Sequence, residues 1–107
     1  MISKELLQII LGETFIAINV VGNKCKFKTE TDMVCGIWRD TNIYELAHIC
    51  KEWAYTKDYG VSSTVFSNTD KVAVVYAVDK KSIYKYFDAP TEPEAIFKAC
   101  EWIRKRL

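Results

Sequence analysis

Seven consecutive residues without a charge, Val72-Ala73-Val74-Val75-Tyr76-Ala77-Val78, constrain this chain more than any other segment. Strand alternation puts Val72, Val74, Tyr76 and Val78 on one face and Ala73, Val75 and Ala77 on the other, so both faces are apolar. The strand Lys71 to Val78 is therefore expected to lie centrally in a sheet covered on both sides. Val61 to Ser67 and Ser82 to Asp88 read as its antiparallel neighbours, with turns at Asn68-Thr69-Asp70 and Asp79-Lys80-Lys81.

Two helices flank this meander. Asp40-Thr41-Asn42 supplies N-caps for a helix running to about Lys57. Its residues Ile43, Leu46, Ala47, Cys50, Trp53 and Ala54 form one apolar stripe at helical period. Gly60 lets the chain turn after it. Thr91-Glu92-Pro93-Glu94 has capping-box spacing and a proline in the first turn, where its missing N–H costs little. Ile96, Ala99, Cys100, Ile103 and Leu107 form the stripe of the last helix. Glu92 and Glu94 open that helix, and Arg104, Lys105 and Arg106 close it, in accord with its dipole.

The N-terminal third reads as a short helix capped by Ser3 and stopped by Gly12, then a strand Phe15 to Val21. Gly22-Asn23 is a hairpin signal. In the strand that follows, Lys24, Lys26 and Lys28 share one face, and Cys25, Phe27 and Thr29 the other. Thr29 to Asp32 reads as a turn and Met33 to Trp38 as a third strand. The expected fold class is α+β. A small antiparallel sheet carries two long helices on one face, in the order helix-strand-strand-strand-helix, preceded by the short helix and β-hairpin. All 107 residues make one domain, with 1–41 as the N-terminal part and 42–107 as the αβββα unit. The long helices cover one sheet face, so the other needs the N-terminal segment or a second copy of the chain.

From Asn42 onward the order of elements, ending in Asp88-Ala89-Pro90-Thr91-Glu92-Pro93-Glu94-Ala95-Ile96-Phe97-Lys98-Ala99-Cys100, resembles the small phage and prophage proteins grouped as the phage αβα-sandwich domain. Their typical ending is a similar capped helix after a three-strand sheet, and Asn42-Ile43-Tyr44-Glu45-Leu46-Ala47 plays the part of the family's first helix. The resemblance implies a mobile-element origin and a cytoplasmic setting in an infected or lysogenic bacterium. It brings no catalytic signature. Residues 1–41 depart from the family's short N-terminal region.

Charge limits the partners. Fifteen Lys and Arg stand against fourteen Asp and Glu, and phosphate binding needs a dense basic field that this balance does not supply. The start of the chain, Met1-Ile2-Ser3-Lys4-Glu5, lacks the pattern of a signal peptide, and no apolar run reaches membrane-spanning length, so reduced thiols and no membrane partner are expected. Cys25, Cys35, Cys50 and Cys100 form no CxxC pair. His48 and Cys50 point about 200° apart on a helix, at about 100° per residue. No metal site or cofactor is expected, and the absence of a nucleophile–base set argues for a protein that is not an enzyme.

The candidate working surface is therefore a binding surface. Lys24, Lys26 and Lys28 form a basic stripe, which also suits a wet or edge strand. Trp38 and Arg39 lie at a strand-to-helix junction. Tyr44, His48, Lys51 and Tyr55 line the middle helix opposite its core stripe, and Tyr is enriched at interface hot spots. Tyr84 and Tyr86 are expected at the core edge. The leading expectation is a small binding protein that occludes a host protein, a bacterial defence effector such as a CRISPR complex being one concrete target. The alternative is a nucleic-acid-binding accessory domain acting through the lysine stripe and Arg104 to Arg106. The double-stranded-RNA-binding domain shares the order of elements, but here the last helix opens with Glu92 and Glu94, which repel phosphate. A homodimer is left open by the small size of the chain.

Overall fold

The computed structural model describes residues 2–12, 15–21, 24–29, 39–63, 73–81 and 84–107. The element order is α1 (Lys4–Leu11), β1 (Phe15–Val21), β2 (Lys24–Thr29), β3 (Arg39–Asn42), α2 (Ile43–Thr56), β4 (Gly60–Ser63), β5 (Ala73–Val78), β6 (Tyr84–Ala89) and α3 (Glu92–Arg106). The fold is α+β, with two antiparallel sheets in the orders β1-β2-β3 and β4-β5-β6.

Each helix starts where its sequence allows an extended residue with a side-chain acceptor. Leu6 N donates to the Ser3 hydroxyl at 3.0 Å. Glu45 N donates to Asn42 Oδ1 at 2.9 Å, and Glu94 N to Thr91 Oγ1 at 3.4 Å. Gly12 ends α1 in the left-handed region at φ 68°. After α2 the left-handed residue is Asp58, at φ 67°, and not the expected Gly60, which opens β4. Aspartate tolerates that conformation better than most side chains.

The α2 stripe is buried at all six expected positions. In α3 the buried positions are Pro93, Ala95, Ile96, Phe97, Ala99, Cys100 and Ile103. Leu107, assigned to that stripe, is 66% exposed because it follows the last helical turn as the C-cap residue. Helix α3 packs on β5 and β6, and α2 packs beside it and on β4. The two helices meet closely enough for the Cys100 thiol to donate to the Cys50 carbonyl at 3.5 Å.

Strand β5 is central, as its apolar run requires, but its faces differ. Val75 and Ala77 are fully buried under the helices, whereas Val74, Tyr76 and Val78 on the other face are only half-buried. Tyr84 and Tyr86 share that open face and are 59% and 57% exposed, so they do not close the core edge as expected. Among the described residues, none of the N-terminal segment supplies the expected cover. Helix α1 packs against α2 and α3, on the helix layer. The shortest dimension of the molecule, 16 Å between Cα extremes, accommodates one helix layer on one sheet, since a covering layer adds about 10 Å.

A strand at Arg39–Asn42 was not legible because Asp40, Thr41 and Asn42 are poor β-formers and good caps. The extended backbone of an N-cap serves both ends: Asn42, at φ −132° and ψ 165°, caps α2 while it pairs with Lys24. The expected turns at Gly22-Asn23, Thr29 to Asp32 and Asn68 to Asp70, the strand Met33 to Trp38, and the outer parts of the strands assigned to Val61–Ser67, Lys71–Val78 and Ser82–Asp88 lie wholly or partly outside the described residues.

The core makes a stability prediction. Ile103 is fully buried and Trp53 is 9% exposed, with its indole N–H buried and without an acceptor among the described residues. Ile103→Ala and Trp53→Ala are each expected to cost about 2–5 kcal/mol in denaturant titration. Trp53→Phe should cost clearly less, because it keeps most of the apolar bulk and removes an unsatisfied donor.

A second prediction comes from the tie that anchors α1. The Ser3 hydroxyl donates to the Glu101 carboxylate. Arg104 donates to the same carboxylate through Nε and Nη2 at 3.0 and 2.9 Å. Burial pushes the Glu101 carboxyl up, but these hydrogen bonds, with the charges of Arg104 and Lys105, outweigh it and leave the group below its ordinary value. A lowered folded pKa contributes stability above the unfolded value and loses it as pH falls through the folded one. Glu101→Gln should therefore be less stable than wild type at neutral pH, and the gap should close over roughly pH 5 to 3 in thermal melts.

Candidate binding groove

Strand β2 alternates as its sequence dictates: Lys24 and Lys26 are exposed, and Cys25 between them is 1% exposed. Strand β3 lies beside it, with Asp40 opposite Lys26 and Asn42 opposite Lys24. Because α2 begins immediately after Asn42, its first outward residues, Tyr44 and Glu45, arrive next to the lysines. The result is a groove of about 660 Å³ lined by Lys24, Lys26, Asp40, Thr41, Asn42, Tyr44 and Glu45.

The polar groups in the groove are partly engaged. Thr41 Oγ1 donates to Glu45 Oε2 at 2.8 Å, which holds that carboxylate against the start of α2. Lys26 Nζ stands 3.9 Å from Asp40 Oδ1, with both side chains largely exposed. Such a pair is worth little and leaves the amine available. Tyr44 is 57% exposed. It presents an apolar ring with a hydroxyl at its tip, between two amines on one side and a second, smaller depression on the other.

That second depression, about 150 Å³, is lined by Tyr44, Ala47, His48, Lys51, Glu92, Pro93 and Ile96. His48 Nε2 is 2.8 Å from Glu52 Oε1, one helical turn on. Lys51 Nζ is 4.0 Å from Glu92 Oε1, which bridges α2 and the start of α3. Tyr44 is the wall shared by the two depressions. Tyr55 continues the same helix face toward its C-terminal end and is 81% exposed, but it lines neither depression.

The structure thus brings together Lys24, Lys26 and Tyr44, with His48 and Lys51 adjoining. Lys28 lies further along β2 and is half-buried. Arg39 pairs with Phe27 in β3. Trp38 lies outside the described residues. Sequence reasoning missed Asp40, Thr41, Asn42 and Glu45 as groove residues. The only signal for them was their cap chemistry, which concealed that the same segment pairs with the lysine strand.

Reactive chemistry finds little to work with at these positions. Among the described residues no group of three or more His, Cys, Asp or Glu side chains could hold a metal ion. His48 is on the surface, whereas Cys50 is buried. The hydrogen bond with Cys100, then burial, pushes the Cys50 thiol far up. Burial also raises Cys25. Both stay as thiols rather than nucleophilic thiolates. Comparison with protein-family models, with curated proteins and with solved structures returns no match for this chain.

The burial of Cys25, Cys50 and Cys100 makes a prediction about thiol reactivity. In native protein these three should react with a thiol reagent only at the rate of local opening. In denaturant all four cysteines should titrate. Rapid native modification of Cys50 or Cys100 would contradict the packing of α2 on α3.

Proposed function

We propose that this chain is a non-enzymatic binding protein of phage or prophage type. It acts by occlusion, docking on a host protein through the groove between β2, β3 and the start of α2. The observation that carries this reading is the convergence of Lys24, Lys26 and Tyr44, from two elements, on one groove. A half-exposed tyrosine supplies a rigid anchor that loses little entropy on docking, and the flanking amines steer an acidic patch toward it. The partner is then a protein with an acidic rim around a pocket that accepts an aromatic ring. A bacterial defence effector, CRISPR complexes included, is a concrete target, and the setting is the cytoplasm of an infected or lysogenic cell. Among the described residues no helix is long and apolar enough to cross a membrane.

The nucleic-acid alternative has less support. Arg104 is held by Glu101, and Arg106 stands 3.6 Å from Asp79. Asp40 and Glu45 share the groove with the lysines, and Glu92 and Glu94 occupy the first turn of α3.

The test is affinity capture from a bacterial lysate with wild-type protein and the triple variant Lys24→Glu, Lys26→Glu, Tyr44→Ala, followed by titration of the purified partner. The partner should be a protein, and the triple variant should bind at least about tenfold more weakly, a loss of about 1.4 kcal/mol. Tyr55→Ala should bind within about twofold of wild type. Raising salt from about 50 to 200 mM should weaken binding only modestly. Three neutralised phosphates would instead cost roughly fortyfold, at a slope near −0.9 per phosphate. Wild-type affinity in the triple variant contradicts the proposal.

A further inference from the structure

Among the described residues the second sheet ends on β6, and that edge combines open backbone groups with a side-chain groove. Lys98 Nζ donates to the Asp88 carbonyl at 2.9 Å, which marks that oxygen as turned away from β5. Polar groups of alternate strand residues point the same way, so Tyr84 and Tyr86 also turn their N–H and C=O outward. No hydrogen bond engages them there among the described residues. Beneath the edge, on the helix side, lies a groove of about 390 Å³. Phe87 is its strand wall, and Phe97, Lys98, Trp102 and Lys105 belong to its helix wall. The Phe87 and Trp102 rings are 5.8 Å apart. Residues of α2, β4 and β5 take no part in the lining, so the groove follows the outer flank of α3 along the free edge.

We propose that the β6 edge accepts an extended segment of a partner protein, which adds as an antiparallel fourth strand and inserts one large apolar side chain between Phe87 and Trp102. Main-chain pairing supplies affinity in this mode, and the pocket for an alternate side chain supplies specificity. Charge fixes the rest of the pattern. Helix α3 runs back over β6 after the short connection at Pro90 and Thr91. Lys105, about one turn beyond Trp102, and Lys85, two residues before Phe87, therefore lie toward the same end. Lys85 Nζ is 5.7 Å from the Phe87 ring centroid. Neither lysine forms an ion pair among the described residues. The Glu101 carboxylate in the groove is already held by Ser3 and Arg104. That end is complementary to a carboxylate.

Register turns these facts into a sequence. In an antiparallel strand the residue opposite Phe87 is large and apolar. The next, opposite Tyr86 on the open sheet face, is β-branched or aromatic, and the one after, opposite Lys85, is acidic. The stretch of α3 from Glu94 to Lys105 measures about 17 Å, which a strand covers in about five residues. A second copy's β6 is a poorer match. Paired antiparallel about Tyr86, it brings Lys85 against Phe87 and gives Lys85 no carboxylate. The edge shares no residue with the groove at Tyr44, so failure here leaves that reading untouched.

The test is fluorescence anisotropy with the full chain and the labelled peptide Ser-Thr-Leu-Val-Glu-Thr-Ser. Binding should fall in the range of about 10–500 μM, because a short segment bears its own ordering entropy. The peptide valine sits opposite Tyr86 and exchanges hydrogen bonds with it, so N-methylation of that valine should weaken binding at least about tenfold. The leucine N–H points away from β6, so its N-methylation should leave affinity within about threefold. Lys85→Glu, at an exposed position, should weaken binding at least about threefold, and a peptide with lysine in place of glutamate should return it to within about twofold of the original pair. The proposal is overturned if the peptide does not bind at about 1 mM, if the two N-methyl peptides behave alike, or if the charge swap fails to recover affinity. Self-association of the chain that the peptide cannot compete away would give the edge to a second copy, and overturns it too.

Discussion

Helix α3 is the element on which the rest of the structure depends. Three of its seven buried residues are small, Ala95, Ala99 and Cys100, beside Pro93, Ile96, Phe97 and Ile103. Small side chains let α3 approach both α2 and the sheet closely, and the short Cys100–Cys50 contact is the visible result. One helix therefore joins three parts of the chain: the sheet below it, α2 beside it, and α1 through the Ser3–Glu101 hydrogen bond. At its C-terminal end Arg106 stacks over Trp102 with the guanidinium 4.5 Å from the ring centroid and donates to the Tyr59 hydroxyl at 3.2 Å. That fastens the last turn beside the start of β4.

This arrangement decides which surfaces are left for partners. Helices α2 and α3 occupy one face of the second sheet and α1 sits on the helix layer, so none of the described residues of the N-terminal segment is placed on the other face. The first sheet approaches α2 through β3. Because β3 runs directly into α2, the lysine strand is brought to the first turn of that helix. The groove at Tyr44 is a consequence of this connection, not of any local motif. Two separate exposed aromatic surfaces result, one at Tyr44 flanked by Lys24 and Lys26 and one at Tyr84 and Tyr86.

Legibility in the sequence followed periodicity. The stripes of α2 and α3, the caps at Ser3, Asn42 and Thr91, and the alternation of Lys24, Cys25 and Lys26 were all readable, because each is fixed by spacing within one element. Strand β3 was hidden, since Arg39-Asp40-Thr41-Asn42 has cap chemistry and its pairing with β2 is a tertiary fact. The two-faced apolar pattern of β5 correctly placed it at the centre of its sheet. It misled on cover, because composition shows that a face tolerates burial and not which body buries it. Tyr84 and Tyr86 failed for the same reason. In the binding groove, Lys24, Lys26 and Tyr44 were named from the sequence, but their convergence and the polar residues between them were not.

Hydroxyl-radical footprinting with mass-spectrometric readout, on dilute protein, tests this division of the surface most directly. The account predicts that Tyr44, Tyr84 and Tyr86 are oxidised at rates near those of an unfolded peptide, while Trp53 and Phe97 are strongly protected. If Tyr84 and Tyr86 are as protected as Phe97 under dilute conditions, a part of the same chain covers the second sheet face, and the layer arrangement described for this protein is wrong.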